Sequence, residues 1–164
     1  MKLLTLALVF LAGSASAQDL VFSPAQTESC LASSAPEQQR LCFGLSAQAC
    51  MSATPGGHTT VGMAGCLDAE RQYWDNRLNA AYQSRMAQAK AVDAEMAELG
   101  ATVSSQADAL REMQRAWIPF RDGKCGFEYS QWGGGTGGGP AITACLMNET
   151  GEQTLYLENS GLGR

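Results

Sequence analysis

Six cysteines and a single histidine are the residues of this 164-residue chain that come first in a search for redox, metal or imidazole chemistry. No two cysteines have the Cys-x-x-Cys spacing typical of dithiol redox sites and zinc sites, and His58 offers only one imidazole ligand. The sequence therefore predicts no bound metal and no cofactor. The six cysteines are Cys30, Cys42, Cys50, Cys66, Cys125 and Cys145.

His58 is the only candidate for an imidazole general base. It lies in a loop-like segment, residues 54–59, with no nucleophile motif such as G-x-S-x-G nearby. A catalytic triad needs three placed groups, and only the base is identifiable here. A pair of carboxylates arranged as in glycosidases is a further alternative, because their separation is spatial. We therefore expect a protein that is not an enzyme, with a weak hydrolase using His58 or a carboxylate pair as the less favoured alternative.

The N-terminal residues indicate the compartment in which the cysteines are found. Lys2 is followed by an apolar run at residues 3–12 and by the small residues Ala15-Ser16-Ala17, which together are typical of a cleavable secretory signal peptide at residues 1–17. The next cysteine is Cys30, so acylation at the cleavage site is not expected. We predict a periplasmic or secreted protein, cleaved after Ala17, without a membrane span.

An even number of cysteines in an exported chain indicates disulfides, because the oxidising compartment lacks the reductant that would keep them as thiols. The sequence alone does not choose among the possible pairings. Proximity along the chain favours Cys125–Cys145 first, with Cys30–Cys42 and Cys50–Cys66 as the remainder. Each bridge is expected to stabilise the fold by about 2–4 kcal/mol.

Composition excludes several classes of protein. The formal net charge is -5 and the isoelectric point about 4.8, which argues against nucleic-acid binding because that requires a basic surface. Hydrophobic residues make up 45% of the chain, too many for a disordered one. Removal of Lys2 with the signal peptide makes the net charge one unit more negative, which suits a cationic protein partner.

Hydrophobic periodicity predicts a helical hairpin in the second half of the chain. One apolar stripe begins at Leu67 and continues to Met86, and the helix is expected to run to Leu99 and stop at Gly100. The charged residues Glu70, Arg71 and Arg77 are assigned to the outer faces, where they suit surface ion pairs. The stripe consists of Leu67, Trp74, Leu78, Tyr82 and Met86.

A second helix is predicted to begin at Ser105, with Asp108 completing a capping-box-like start. Its apolar stripe is Leu110, Met113, Trp117 and Phe120, so Trp117 and Phe120 are expected in the core. Pro119 is expected to kink this helix near its end.

A glycine-rich connector follows, with six glycines among residues 133–139. It lacks the flanking strand and lysine of a phosphate-binding loop, so we interpret it as a flexible link whose ends Cys125–Cys145 would join. Pro140 is then expected at the first position of a third helix spanning residues 141–158, which Gly151 could divide in two.

Residues 18–64 are less regular, with one or two short helices expected within residues 36–51 and little strand character. The predicted fold class is therefore all-α, a small disulfide-stapled helical domain built on a helical hairpin plus a third C-terminal helix.

The stretch from Gln114 to Cys125 resembles the Q-R-A-W-I-x-F-R-D-x-x-C motif of the LprI-like lysozyme-inhibitor domain, a family of small exported bacterial proteins. Cys66 followed by the D-x-x-L-N-x-x-Y pattern at residues 75–82 is similar to the family's first long helix, and Cys145-Leu146 with Thr150 is similar to its ending. Gln153 stands where the family usually has Arg, and Gly123 where Ala is common. The family-motif residues are Trp117, Phe120, Arg121 and Asp122, and we expect Arg115, Arg121 and Asp122 to lie close together in an internal ion pair.

The resemblance covers residues 50–157 and assigns four cysteines, from Cys50 onward, to the shared domain. It divides the chain into the signal peptide, a Cys-containing N-terminal extension at residues 18–49, and an LprI-like helical domain at residues 50–164. Cys30 and Cys42 then form a separate clasp on the extension.

The resemblance implies an exported protein-binding module that inhibits a lysozyme-type muramidase, which we expect to act by occluding the cleft. Trp132 and Tyr129 near the glycine-rich loop, together with His58, are the candidate contact residues, because aromatic side chains are favoured interface anchors. A cell-envelope interaction module with a different protein partner is the alternative. The sequence does not predict an oligomeric state.

Overall fold

The computed structural model describes residues 19–160, so the predicted signal peptide lies outside the described residues. These residues form helices and contain no β-strand, which confirms the all-α prediction. In chain order the elements are α1 (Ala25–Ser33), a 3-10 helix (Pro36–Cys42), α2 (Leu45–Ala53), α3 (Thr60–Glu98), α4 (Gln106–Ser130) and α5 (Gly138–Asn159).

Helices α3 and α4 form the predicted antiparallel hairpin, and α5 returns alongside α3 in the same direction. The Thr154 hydroxyl donates to the backbone carbonyl of Trp74 at 3.2 Å. One turn further along both helices, Arg77 donates to the two carboxylate oxygens of Glu158 at 2.6 and 3.0 Å. The hairpin with a third C-terminal helix is thus confirmed. None of the helices in residues 19–160 is long and apolar enough to cross a membrane.

The predicted apolar stripe of α3 forms the centre of the core. Trp74, Leu78 and Met86 are buried, and Leu67 and Tyr82 are partly buried against them. The Trp74 ring also packs edge-on against Phe43 from the N-terminal segment, with 5.1 Å between ring centroids. The largest cluster of buried side chains therefore joins α3 to residues before position 50.

The turn between α3 and α4 begins as predicted at Leu99 and Gly100. Gly100 has φ of +67°, which glycine adopts without the steric cost that a side chain would cause. Its N–H donates to the carbonyl of Ala97, and the N–H of Ala101 donates to that of Met96, the two bonds of a Schellman motif. The end of α3 is therefore well determined by local sequence.

The start of α4 at Ser105 is also as predicted, but its second capping group differs. The Ser105 hydroxyl accepts from the N–H of Asp108 at 3.0 Å. The carboxylate that completes the cap belongs to Asp93 in α3, which accepts from the Ser105 hydroxyl at 2.7 Å and from the N–H groups of Gln106 and Ala107 at 2.7 and 3.1 Å. Asp108 instead pairs with Arg111.

These hydrogen bonds to the ionised form, that from Ser105 first, lower the pKa of Asp93. A lowered pKa contributes stability that is fully present above the unfolded-state pKa of about 3.9 and is lost as pH falls through the folded-state pKa. We therefore expect Asp93→Asn to flatten the pH dependence of unfolding below about pH 5, as measured by urea titration at several pH values. An acid limb as steep in Asp93→Asn as in the wild type would contradict this assignment.

Two predictions about where the long helices end or divide are wrong. Helix α4 continues for eleven residues past Pro119, to Ser130, rather than ending close to it. Pro119 is exposed, so water can reach the carbonyl that its missing N–H leaves free.

Helix α5 begins at Gly138 rather than Ala141, and it is not divided at Gly151. A Cβ at Gly151 would lie 2.9 Å from the Phe43 ring. Gly151 therefore permits close packing of α5 on Phe43.

Helix α1 was not expected from the sequence. Its buried residues are Thr27 and Leu31, one turn apart, which is too few for a recognisable apolar stripe.

Three disulfides are formed, and they are the pairs that proximity along the chain favours: Cys30–Cys42, Cys50–Cys66 and Cys125–Cys145.

Candidate protein-binding site

Two of the candidate contact residues, Tyr129 and Trp132, lie together where α4 leads into the glycine-rich loop. The two residues are 49% and 50% exposed. The Trp132 ring lies against Gly137 in the loop, and the Tyr129 ring lies against Gly138 at the start of α5. A Cβ at Gly137 would overlap the Trp132 ring, and one at Gly138 would lie 2.9 Å from the Tyr129 ring. The glycines therefore allow the aromatic rings to pack on the backbone while half of their surface faces solvent.

A groove of about 470 Å³ runs between the end of α4 and the start of α5 beside Trp132. Lys124 and Glu149 line it and pair at 2.6 Å, next to the buried Cys125–Cys145 disulfide. The hydrogen bond from Lys124 to Glu149 raises the pKa of the lysine. The groove is thus lined by an aromatic ring and by a compensated charge pair.

His58 is exposed in the turn before α3. The neighbouring Thr59 caps α3, with its hydroxyl oxygen accepting from the N–H of Gly62 at 3.1 Å. Residues 54–59 form the predicted loop, closed by backbone hydrogen bonds from Gly57 to Thr54 and from Thr59 to Gly56.

The family-motif residues lie on α4, and the prediction for Phe120 is wrong. Trp117 packs against the Leu78 cluster, but Phe120 is 62% exposed. The buried face of α4 continues from Trp117 to Arg121 and Cys125 at spacings of four, so Phe120 falls beside that face rather than on it. Arg121 takes the position expected for an apolar residue and lies over the Trp117 ring, 4.8 Å from its centroid.

The expected internal cluster of Arg115, Arg121 and Asp122 is also wrong. Arg121 pairs with Asp122 at 2.8 Å, but the Asp122 side chain is 55% exposed. Arg115 instead pairs with Glu112 on the surface of the same helix at 3.1 Å. Adjacent residues on a helix point about 100° apart, which leaves Asp122 facing solvent although Arg121 is largely covered.

The predicted surface position of Glu70 is wrong. The sequence predicts a surface ion pair for it, but its side chain is completely buried. In the described residues it has no cationic partner. Its Oε1 accepts hydrogen bonds from the Thr27 hydroxyl at 3.0 Å, from the Gly44 N–H at 2.9 Å and from the Trp74 indole N–H at 3.3 Å. Its Oε2 accepts from the Ala47 N–H at 2.7 Å.

This arrangement lets a buried carboxylate join three elements. Gly44 and Ala47 are at the N-terminus of α2, where free N–H groups and the helix dipole favour a negative charge. A signal for burial was present in the sequence, because Glu70 falls between Leu67 and Trp74 in the apolar register of α3. Three of its four donors, on Thr27, Gly44 and Ala47, lie 23 to 43 residues earlier in the chain, so no local pattern could identify them.

Two further features of the described residues concern the grouping of possible metal ligands and a groove beside the end of α5. No group of three His, Cys, Asp or Glu side chains within residues 19–160 could hold a metal ion. A groove of about 590 Å³ lies between α3 and α4 beside the end of α5. There Arg85 donates to the backbone carbonyls of Leu157 and Glu158 at 2.6 and 2.8 Å, which caps α5.

Gln153, which stands where the family usually has Arg, is buried on the face of α5 that contacts α4. Its amide donates to the Gln114 side-chain oxygen at 2.9 Å and contacts the Met113 sulfur at 3.2 Å. In this chain the position therefore forms a neutral contact between the two helices.

Comparison with known proteins identifies related chains. The chain is 31% identical over 93 residues to an uncharacterized protein of Rhizobium meliloti (strain 1021), covering 57% of this chain and 67% of that protein. It is 28% identical over 141 residues to an uncharacterized 17.7 kDa protein in the puhA 5' region of Rhodobacter capsulatus, covering 85% of this chain and 86% of that protein. No solved structure matches the chain.

A family match spans residues 50–157, which include α3, α4, most of α5 and two of the disulfides. The family is described as "Lysozyme inhibitor LprI" and is one of inhibitors rather than enzymes. Membership and the three disulfides both indicate an extracytoplasmic protein. The chain therefore belongs to the LprI lysozyme inhibitor family.

Proposed function

We propose that this protein is exported to the periplasm or medium, where it inhibits a lysozyme-type muramidase by covering the substrate cleft. The observation that carries this proposal is the family match over residues 50–157, which takes in the helical hairpin and its disulfide-linked third helix. Inhibition requires binding rather than chemistry, and a rigid, cross-linked surface suits binding because little conformational entropy is lost on association.

Electrostatics support a cationic partner. The net charge of -5 would attract a basic lysozyme over long range and raise the rate of encounter. Because salt screens such attraction within about 10 Å at 0.1 M, the association should weaken as ionic strength rises.

A titration of the purified protein into a c-type lysozyme tests the proposal. We expect the rate of cell-wall lysis to fall in a dose-dependent way, more strongly at 20 mM than at 200 mM salt, because encounter is electrostatically assisted. An acidic protein of similar charge and unrelated fold is the control for non-specific attraction. Lysis that is unchanged at low salt and a large molar excess would reject the inhibitor function.

The contact residues predicted from the sequence fit this function at one end of the molecule. The half-exposed rings of Trp132 and Tyr129 form one patch, and we propose His58 as a separate polar contact on its own loop.

A second candidate function is an envelope module that binds a different protein. It is favoured by the outward face of α4, where Phe120 and Phe127 are exposed two turns apart with Gly123 between them. Exposed aromatic residues on one helix face are typical of protein-binding surfaces. Retention of the protein on cell envelopes without any effect on lysozyme would favour this alternative.

A further inference from the structure

We infer that the α3–α4 turn, residues 99–105, here called the hairpin tip, is the surface that meets the cationic muramidase. The inference rests on the proposed function and identifies the part of the molecule that would perform it. The hairpin tip is distinct from the contact residues predicted from the sequence, which lie where α3 begins and where α4 ends.

The hairpin tip projects from the body of the protein. The last buried residues of the hairpin are Ala89 in α3 and Ala107 in α4, and no residue between positions 90 and 106 is buried. Helix α5 ends at Asn159, where Arg85 caps its last carbonyls. From Ala89 to the end of α3 the helix rises by about 14 Å, so the tip stands clear of the three-helix body.

The hairpin tip exposes two large apolar side chains that no described residue covers. Leu99 is 70% exposed and Val103 is 60% exposed, although side chains of this kind are usually covered. They are separated by Gly100, Ala101 and Thr102, whose smaller side chains leave Leu99 and Val103 as the main features of the tip. Such a narrow apolar projection has the shape that occlusion of a cleft requires.

The charge around the hairpin tip identifies the kind of partner. Four acidic residues and no lysine or arginine occur between positions 91 and 110. Asp93 is used in the cap of α4 and Asp108 pairs with Arg111, whereas Glu95 and Glu98 are exposed on the last turns of α3. An apolar tip with an acidic border complements a groove bordered by basic residues, which is the chemistry of a cationic muramidase.

The hairpin tip is also rigid enough to bind without a large entropic cost. The Schellman motif at Gly100 determines how the chain leaves α3, and Asp93 holds Ser105 and the first N–H groups of α4. Both ends of the turn are thus held by hydrogen bonds within the hairpin. A preordered loop gives more net affinity for the same contacts than a flexible one.

The test compares variants at the two ends of the molecule by measuring binding to a c-type lysozyme and inhibition of lysis. We expect Leu99→Ser with Val103→Ser to raise Kd by tenfold or more, because the apolar contact is lost. We expect Glu95→Gln with Glu98→Gln to lower the association rate about fivefold at low salt and to reduce its salt dependence. All four side chains are solvent-facing, so thermal unfolding should be unchanged.

Matched controls separate the hairpin tip from general effects of hydrophobicity and charge. Leu41→Ser removes an apolar side chain that is 75% exposed, and Glu28→Gln with Glu37→Gln removes two exposed charges outside the hairpin. These controls should bind within about twofold of the wild type. Trp132→Ala tests the opposite end in the same assay.

The possible outcomes distinguish the two proposals. If the wild type neither binds nor inhibits lysozyme, the proposed function fails and the inference fails with it. If the wild type inhibits but the hairpin-tip variants inhibit equally well, the inhibitor function stands and only the inference is overturned. A loss confined to Trp132→Ala would also overturn the inference, in favour of the glycine-rich end.

Discussion

Glu70→Gln is expected to lower the free energy of unfolding by about 3 kcal/mol, although it changes only one atom in the side chain. The carboxylate accepts four hydrogen bonds and donates none, and all of its donors are buried or partly buried. A glutamine amide has one oxygen and one NH₂ group in place of the two carboxylate oxygens. Its NH₂ group must face either the Ala47 N–H or the donors that include the Gly44 N–H, and the donors that it faces lose their acceptor. A buried donor left without a partner costs about 1–3 kcal/mol, and the loss of charge weakens the bonds that remain.

Guanidinium chloride unfolding followed by far-UV and tryptophan signals measures this effect, with the disulfides intact. Asp75→Asn is the matched control, because Asp75 is on the same helix and its side chain bonds to Asn79 within that helix. The control should change stability by less than about 0.5 kcal/mol. If Glu70→Gln were as stable as the control, the carboxylate would not be what holds α2 against α3.

The Glu70 contacts bear on how the N-terminal segment relates to the family domain. The family match begins at residue 50, yet Thr27, Gly44 and Ala47 all bind a carboxylate inside the matched region. The alignment with the Rhodobacter capsulatus relative, 141 residues long, is longer than residues 50–164 and so includes part of this segment. We propose that the segment before residue 50 is an integral layer of this protein rather than an appended extension.

Much of the fold was predictable because its signals are local. The apolar stripe of α3, the stop at Gly100 and the cap at Ser105 depend on residues within a few positions of one another, and the structure has all three. The prediction failed where the partner was distant. Glu70 is buried by groups that arrive from α1 and α2, and a Glu between helical apolar residues does not reveal such donors.

The candidate site was less predictable for a related reason. The buried face of α4 continues from Trp117 to Arg121, whose guanidinium covers the indole ring. Phe120 is therefore exposed, although its spacing from Trp117 fits a helical stripe. Whether an apolar residue at the border of a stripe is covered depends on where α5 ends and packs, which spacing does not determine. The exposure of Leu99 and Val103 likewise follows from the end of α5 at Asn159.

Removal of the Cys125–Cys145 disulfide by alanine at both positions is expected to lower the free energy of unfolding by about 3 kcal/mol. The bridge closes a segment with a sequence separation of 20 that contains the glycine-rich loop, and both cysteines are buried. A glycine-rich chain has many conformations when unfolded, so cross-linking its ends removes much entropy from the unfolded state. The m-value in guanidinium chloride should rise, because an unfolded chain without the bridge exposes more surface.

The ion pair between Lys124 and Glu149 provides the control for this effect, because it joins the same two helices beside the bridge. Lys124→Gln should cost less than about 1 kcal/mol and leave the m-value unchanged, since a partly exposed pair contributes little and does not constrain the unfolded chain. If loss of the disulfide left the m-value unchanged and acted only by accelerating unfolding, the bridge would stabilise α4 against α5 in the folded state. The glycine-rich loop would then be tolerated because the helices hold it, and its entropy would have no part in the stability of the protein.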